Sequence, residues 1–87
     1  MGMITSSPHI APVPRDVHHV RLGADPGFQG QDSITVRVAM HTTNTPNWPV
    51  KNITLSTDKP RIDVELGNTD ILSMTVTGGF EVGYAFI

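Results

Sequence analysis

Apolar and polar residues alternate along three runs in the last third of the chain, residues 61–66, 72–77 and 80–87. Alternation with a period of two places the apolar side chains on one face of a strand and the polar side chains on the other. Turn-forming residues separate the runs at 67–70 and at 77–79. The pattern predicts three consecutive strands, which we interpret as an antiparallel meander.

The loop at residues 77–79 sets the expected register of this meander. A three-residue loop pairs Val76 with Phe80 and Met74 with Val82, whereas a two-residue turn would place Phe80 on the polar face. A slip of one residue moves every side chain to the opposite face, so the apolar pattern favours the three-residue loop. The turn at 67–70 must also contain an odd number of residues, so that the apolar side chains of both strands share a face. A turn of three residues and a turn of five residues both meet this condition.

Three further strands are expected, at residues 17–22, 33–41 and 50–57. The run 33–41 is long, rich in β-branched residues and free of Pro and Gly, which is typical of a central strand. We therefore predict an all-β protein, a small antiparallel β-sandwich or partly open barrel of about five to seven strands. The inward strand positions, with Trp48 added to them, form the expected core: Val20, Leu22, Ile34, Val36, Val38, Met40, Trp48, Ile53, Leu55, Ile62, Val64, Leu66, Leu72, Met74, Val76, Phe80, Val82, Tyr84 and Phe86.

The first 16 residues are expected to form an extended arm outside a single β domain at residues 17–87. Proline fixes φ and favours extended backbone before it, and three prolines fall in this segment. An ordered arm of this kind must lie on its own sheet or on a neighbouring subunit, and we favour the neighbour. Removal of residues 1–14 should then leave the domain folded. The partner-binding residues expected in the arm are Ile4, Pro8, Ile10, Pro12, Val13 and Pro14.

Length and composition narrow the classes of function. The 87 residues suffice for one small domain, and the formal net charge is −2. The six basic residues are scattered, so we expect no nucleic-acid binding. No apolar run reaches transmembrane length and no signal-peptide pattern is visible, so we expect no membrane partner. The chain has no cysteine, which favours folding in a reducing cytoplasm.

The sequence nominates no catalytic group, metal site or cofactor. A nucleophile elbow of the Gly-x-Ser-x-Gly type and a glycine-rich phosphate loop are both absent from the sequence. The four histidines lack the spacing of a zinc site, and the acidic residues lack the order of an EF-hand. We therefore expect a protein that is not an enzyme and that carries no cofactor.

The loop at residues 42–49 contains the single tryptophan, Trp48, between two prolines. An exposed indole beside Asn47 could stack on a sugar or anchor a protein partner. Alternatively, Trp48 covers one end of the core, since a core this small rarely spares its largest side chain. Asn47 and Trp48 are thus the candidate ligand loop.

Surface composition supplies the remaining functional signal. The outward strand positions carry small or hydroxyl side chains where a solvated face would carry Lys and Glu, which suits packing against another protein. These positions are Thr35, Arg37, Ala39, Ser73, Thr75, Gly83 and Ala85. The chain ends in apolar residues, and we expect Phe86 and Ile87 to be buried in the fold or in an interface.

These features favour a structural assembly protein whose partners are protein subunits, either its own copies or other components. By analogy of architecture alone, it is similar to small virion proteins that decorate or cement a bacteriophage capsid, or to tail components. Its expected location is a virion assembled in the host cytoplasm, or otherwise the cytoplasm. The alternative is an immunoglobulin-like or carbohydrate-binding module that uses the Trp48 loop.

Overall fold

The structure is a computed structural model that describes residues 2–87. Within this range the chain forms eight strands and no helix. The strands are β1 (Gly2–Ile4), β2 (His9–Pro12), β3 (His19–Gly23), β4 (Ser33–His41), β5 (Val50–Ser56), β6 (Arg61–Glu65), β7 (Ile71–Val76) and β8 (Val82–Phe86). The prediction of an all-β protein is confirmed.

The strands form two antiparallel sheets of four strands each. Sheet I has the order β1-β8-β3-β6, and sheet II has the order β2-β7-β4-β5. The two sheets are not closed onto each other, and they share one buried core. The architecture is therefore that of a small β-sandwich.

Strand pairing follows a nested pattern along the chain. The innermost pair is β4 with β5, followed outward by β3 with β6, β2 with β7 and β1 with β8. The nested pairs form one long antiparallel ribbon. Two further pairings, β3 with β8 and β4 with β7, fold this ribbon into two sheets. Eight strands wound in this manner make up a double-sheet jelly roll.

Most of the predicted core positions are buried between the two sheets. The fully or nearly buried ones are Val20, Leu22, Ile34, Val36, Val38, Leu55, Val64, Leu66, Leu72, Met74, Val76 and Val82. The other predicted strand positions are half-buried and pack against this cluster: Met40, Ile53, Ile62, Phe80, Tyr84 and Phe86. Trp48 does not belong to the core. Alternation thus identified the inner face of each of these strands correctly.

The predicted meander is wrong, although its strands form close to their expected positions. β7 pairs with β2 and β4, whereas β8 pairs with β1 and β3. Val76 therefore does not pair with Phe80. The connection between β7 and β8 carries Gly78 and Gly79 with φ of 83° and 76°, and it crosses from sheet II to sheet I. Glycine adopts these left-handed angles without steric cost.

The segment expected to be a separate arm contributes an edge strand to each sheet. β1 pairs with β8 in sheet I, and β2 pairs with β7 in sheet II. Ile4 is 0% exposed and Ala11 is 5% exposed, so both belong to the core. Edge positions tolerate Pro12 because its missing N–H is not needed by a second neighbour. These two short strands bring the total above the predicted five to seven.

A side-chain contact near the edge of the sandwich joins the two sheets. His9 of β2 and Tyr84 of β8 lie in different sheets, and their Nε2 and hydroxyl oxygen are 2.7 Å apart. Gly2 makes room for the tyrosine ring, because a Cβ atom at this position would lie 2.6 Å from Cε1 of Tyr84. Gly2 of β1 therefore packs closely against Tyr84 at the edge of the sandwich.

Candidate protein-interaction surface

The outer face of sheet II carries an exposed apolar surface that the strand register builds. Two adjacent rows of outward side chains cross the sheet from β2 to β5. Row 1 consists of Ile10, Ser73, Ala39 and Val50. Row 2 consists of Pro12, Ile71 and His41, and Trp48, two residues before β5 begins, completes it by stacking on His41. We call these two rows together the apolar patch.

Several side chains of the apolar patch are unusually exposed for their type. Ile10 is 65% exposed, Trp48 43% and Val50 40%. Isolated exposed apolar residues are normal, but a contiguous group of them marks an interaction site. The rows place these three side chains on one face, together with Pro12 and Ile71. The apolar patch is thus the candidate functional site.

Trp48 lies on the outer surface, outside the core. Its ring stacks on the ring of His41 with a centroid distance of 4.6 Å and an interplanar angle of 25°. Nε2 of His41 donates a hydrogen bond to the carbonyl oxygen of Thr45 at 2.9 Å. The histidine therefore holds both the tryptophan ring and the loop that carries it. The alternative in which Trp48 covers the end of the core is wrong.

Asp70 fixes the beginning of the same loop. Its backbone N–H donates to the carbonyl oxygen of His41 at 2.8 Å, and its Oδ2 accepts the N–H of Thr43 at 2.6 Å. Hydrogen bonds from the hydroxyl and the backbone N–H of Thr43 hold the pKa of Asp70 below its ordinary value of 3.8. The carboxylate is ionised at neutral pH, and the loop is anchored to β7 in that state.

The polar end of this outer face contains the other predicted sheet residues. Thr35 and Arg37 point outward from β4, and the Thr35 hydroxyl lies 3.4 Å from the hydroxyl of Thr54 on β5. Arg37 is the one charged side chain at an outward position in the four strands of sheet II. The face is therefore nearly neutral, with its apolar patch next to a hydroxyl-rich end.

The predicted arm residues are distributed differently. Pro8, Ile10, Pro12 and Pro14 are exposed, whereas Val13 is half-buried against the core. Ile4 is fully buried in the described structure, so its side chain is not available to a partner. Only Ile10 and Pro12 among these residues lie in the apolar patch. Asn47, expected to line a ligand loop, is exposed beside Trp48.

Gly83, Ala85 and Ile87 lie on the outer face of sheet I, away from the patch. An open groove with a volume of about 560 Å³ passes over Gly83 and Ala85, and Ile87 beside it is 49% exposed. Phe86 faces the core side and contacts Tyr84 edge-on. Arg21 borders the groove and is paired with Asp63 at 2.8 Å. This pair lowers the pKa of Asp63 through the hydrogen bond from Arg21.

Sequence reasoning missed Val50 and Ile71 as surface residues. Both residues begin strands, and alternation places them on the outer side. Single apolar residues at strand ends did not by themselves indicate an interaction surface. Only the register, which aligns Ile71 with His41 and Val50 with Ala39, shows that they join the patch.

Residues 2–87 contain no group of three or more His, Cys, Asp or Glu side chains arranged to hold a metal ion. No helix in this range is long and apolar enough to cross a membrane. Comparison of the chain with protein-family models, curated proteins and solved structures finds no match.

Proposed function

We propose that this chain is a non-enzymatic structural protein that binds neighbouring subunits of a larger assembly. The proposed assembly is a virion, in which the chain decorates or cements a bacteriophage capsid or forms part of a tail. The outer face of sheet II is the proposed contact surface. Ile87 on sheet I and the exposed proline Pro14 are secondary contacts in this proposal.

The exposed apolar patch is the observation that carries this proposal. Ile10, Val50 and Trp48 lose contact with water only when another molecule covers the face, and burial of an aliphatic side chain is worth about 1.5–3 kcal/mol. The single charge on the strands' outer face, Arg37, lies next to the apolar patch and not within its two rows, so covering the patch carries little desolvation cost. A protein surface is the partner that fits an apolar, nearly neutral face.

The strand order adds support at the level of architecture. Double-sheet jelly rolls occur in viral capsid domains and in lectin domains. A fold hosts many functions, so this support is an analogy and the surface carries the argument.

Incorporation into particles tests the proposal directly. We expect the tagged chain to co-sediment with high-mass particles in extracts of its source. Replacing Ile10 with Asp should lower the incorporated fraction about tenfold or more, because the patch would lose an apolar contact and gain an unpaired charge. Sedimentation through a density gradient, followed by immunodetection, measures the incorporated fraction.

Met3→Asp is the matched control, because Met3 is also an exposed apolar residue on an edge strand, at 52% exposure. It lies on β1 of sheet I, so this variant should be incorporated like the unmodified chain. Thermal melts should show both variants folded. If the unmodified chain sediments only as a free protein, or if Ile10→Asp incorporates normally, the proposal is wrong.

The stacked arrangement of Trp48 favours a second candidate, a carbohydrate-binding module. An indole that is 43% exposed and held by His41 offers a flat apolar surface, and sugar rings stack on such surfaces. Asn47 and Thr45 next to it can supply polar contacts. The site would lie at one end of the apolar patch.

A glycan array read by intrinsic fluorescence tests this second candidate. A true ligand should shift the emission of Trp48, the only tryptophan, and Trp48→Ala should weaken binding about tenfold or more through loss of the aromatic contact. Val50→Ala removes a neighbouring apolar side chain without touching the ring and should bind normally. Absence of any glycan-dependent emission change across the array would exclude this function.

A further inference from the structure

We infer that the outer face of sheet II binds the same face of a second copy of this chain. The twofold axis lies in the plane of the contact and runs across the strands, between row 1 and row 2 of the apolar patch. This inference rests on the proposed function and names the first partner in the assembly.

The shapes of the two rows are complementary under this symmetry. The rotation places row 1 of one copy against row 2 of the other. The centre of row 1 is made of two small side chains, Ser73 and Ala39, and the centre of row 2 of two larger ones, Ile71 and His41. Ile71 and His41 of each copy thus enter the depression that Ser73 and Ala39 leave in the other. Alternating large and small residues allow facing layers to interdigitate.

The outer ends of the rows also meet favourably. Ile10 lies opposite Pro12 of the second copy, and Val50 lies opposite its Trp48. Trp48 is the kind of residue that dominates the binding energy of interfaces. All four side chains are exposed in the single chain, so association removes apolar surface from water at both ends of each row.

The charges on the face are compatible with this arrangement. Arg37 lies on β4 three residues from the axis position, which is about 10 Å at the usual rise per residue. The rotation moves Arg37 of the second copy to the other side of the axis, so the Cα atoms of the two arginines are about 20 Å apart. That separation exceeds the Debye length of about 8 Å at physiological salt. Repulsion between the two copies is therefore screened.

The position of the axis sets the size of the contact. The axis lies at residue 40 of β4, near one end of the outer face, so the two copies overlap over rows 1 and 2, and Thr35 lies outside the overlap. The contact is about 20 Å wide and about 15 Å long at the usual spacings, which is smaller than a standard interface of about 800 Å² from each partner. We therefore expect a weak dimer that forms at high protein concentration.

The outer face of sheet I does not offer an equivalent contact. It carries Arg21, Asp63, Arg61 and Glu65, and burial of these charges would carry a desolvation cost. A second copy is thus expected on sheet II only, and the contact closes after two chains.

Static light scattering on the full chain, over a concentration series, tests the inference. We expect a mass of twice the chain mass of 9.4 kDa at high concentration. Dilution should shift the emission of Trp48 to longer wavelength as the interface opens and the indole meets water. Both readouts should report the same dissociation constant.

Ala39→Glu should raise that dissociation constant about a hundredfold or more, because the larger side chain fills the depression and its carboxylate is buried in the contact. Thr35→Glu is the matched control, since it puts the same charge on the same strand and also two residues from Arg37, but outside the rows. It should dimerise within a few-fold of the unmodified chain. Val50→Glu is a second test of the same contact. It lies on the edge strand β5, where the fold tolerates a substitution best.

A chain that stays monomeric at millimolar concentration overturns the inference, as does a dimer that Ala39→Glu and Val50→Glu leave intact. A monomer whose incorporation into particles still depends on Ile10 would show that sheet II binds a different protein, so the proposed function would stand without this partner. A patch-dependent dimer that never enters particles would support the inference and remove the proposed function.

Discussion

Replacing Val38 with Asp is expected to unfold the protein. Val38 is 0% exposed and lies on β4, between β5 and β7, in the middle of sheet II. A carboxylate there is removed from water, and Lys51, which lies opposite it on β5, is exposed to solvent, so we expect a loss of about 4 kcal/mol or more. A small domain has a total stability of about 5–15 kcal/mol. Circular dichroism and amide exchange on the purified variant measure the result.

Thr35→Asp serves as the control for this experiment. Thr35 lies on the same strand as Val38 but on the outer face, where it is exposed. The same new charge there remains in water, and the change in stability should stay within about 1 kcal/mol. A cooperative, native-like melt for Val38→Asp would mean that the inner face of β4 is assigned incorrectly.

The inner faces of the strands could be predicted from the sequence because alternation is a local property. In β4, each residue from Ile34 to Met40 was assigned to its face correctly, and the bounds of the strand were also correct. The transfer of apolar side chains out of water dictates this pattern, whatever strand lies alongside. The same argument identified Leu72, Met74 and Val76 on β7.

Strand partners could not be predicted by this reasoning. Val76 and Val82 point into the core in a meander, and they also point into the core when β7 and β8 belong to different sheets. Alternation is identical in the two arrangements. The glycines at 78 and 79 permit a tight reversal in either case. The nested pairing depends on contacts between distant parts of the chain, which a local pattern does not record.

The first two strands were missed for a related reason. β1 and β2 have three and four residues, too few for periodicity to be recognised, and prolines lie before, in and after β2. Pro12 is a strong signal against a central strand but permits an edge strand. The correct inference from these residues was an extended backbone, and its position on the sandwich edges required the structure.

The apolar patch shows how far single residues can be predicted. Ile10, Pro12, Ala39 and Trp48 were selected as separate candidates in three segments of the chain. The register of sheet II brings them together on one face, and it adds Ile71, which was not a candidate by itself. A surface of this kind is a property of neighbouring strands, so it appears only when their order and alignment are known.

Truncation of residues 1–12 is expected to prevent folding, contrary to the expectation for a separate arm. The truncated chain lacks one edge strand of each sheet, the buried side chains of Ile4 and Ala11, and the contact between His9 and Tyr84. Loss of the Ile4 side chain alone should cost about 2–5 kcal/mol. Together these losses approach the whole stability of a domain of this size, which is about 5–15 kcal/mol.

Two point variants separate packing from chain length in this test. Ile4→Ala should destabilise the full chain by about 2–5 kcal/mol because it opens a cavity between the sheets. Met3→Ala, at the neighbouring and 52% exposed position, should cost less than about 1 kcal/mol. Urea unfolding followed by Trp48 fluorescence measures all three chains. If the truncated chain melts cooperatively near the temperature of the full chain, residues 1–12 are an appendage and β1 and β2 contribute nothing to the core.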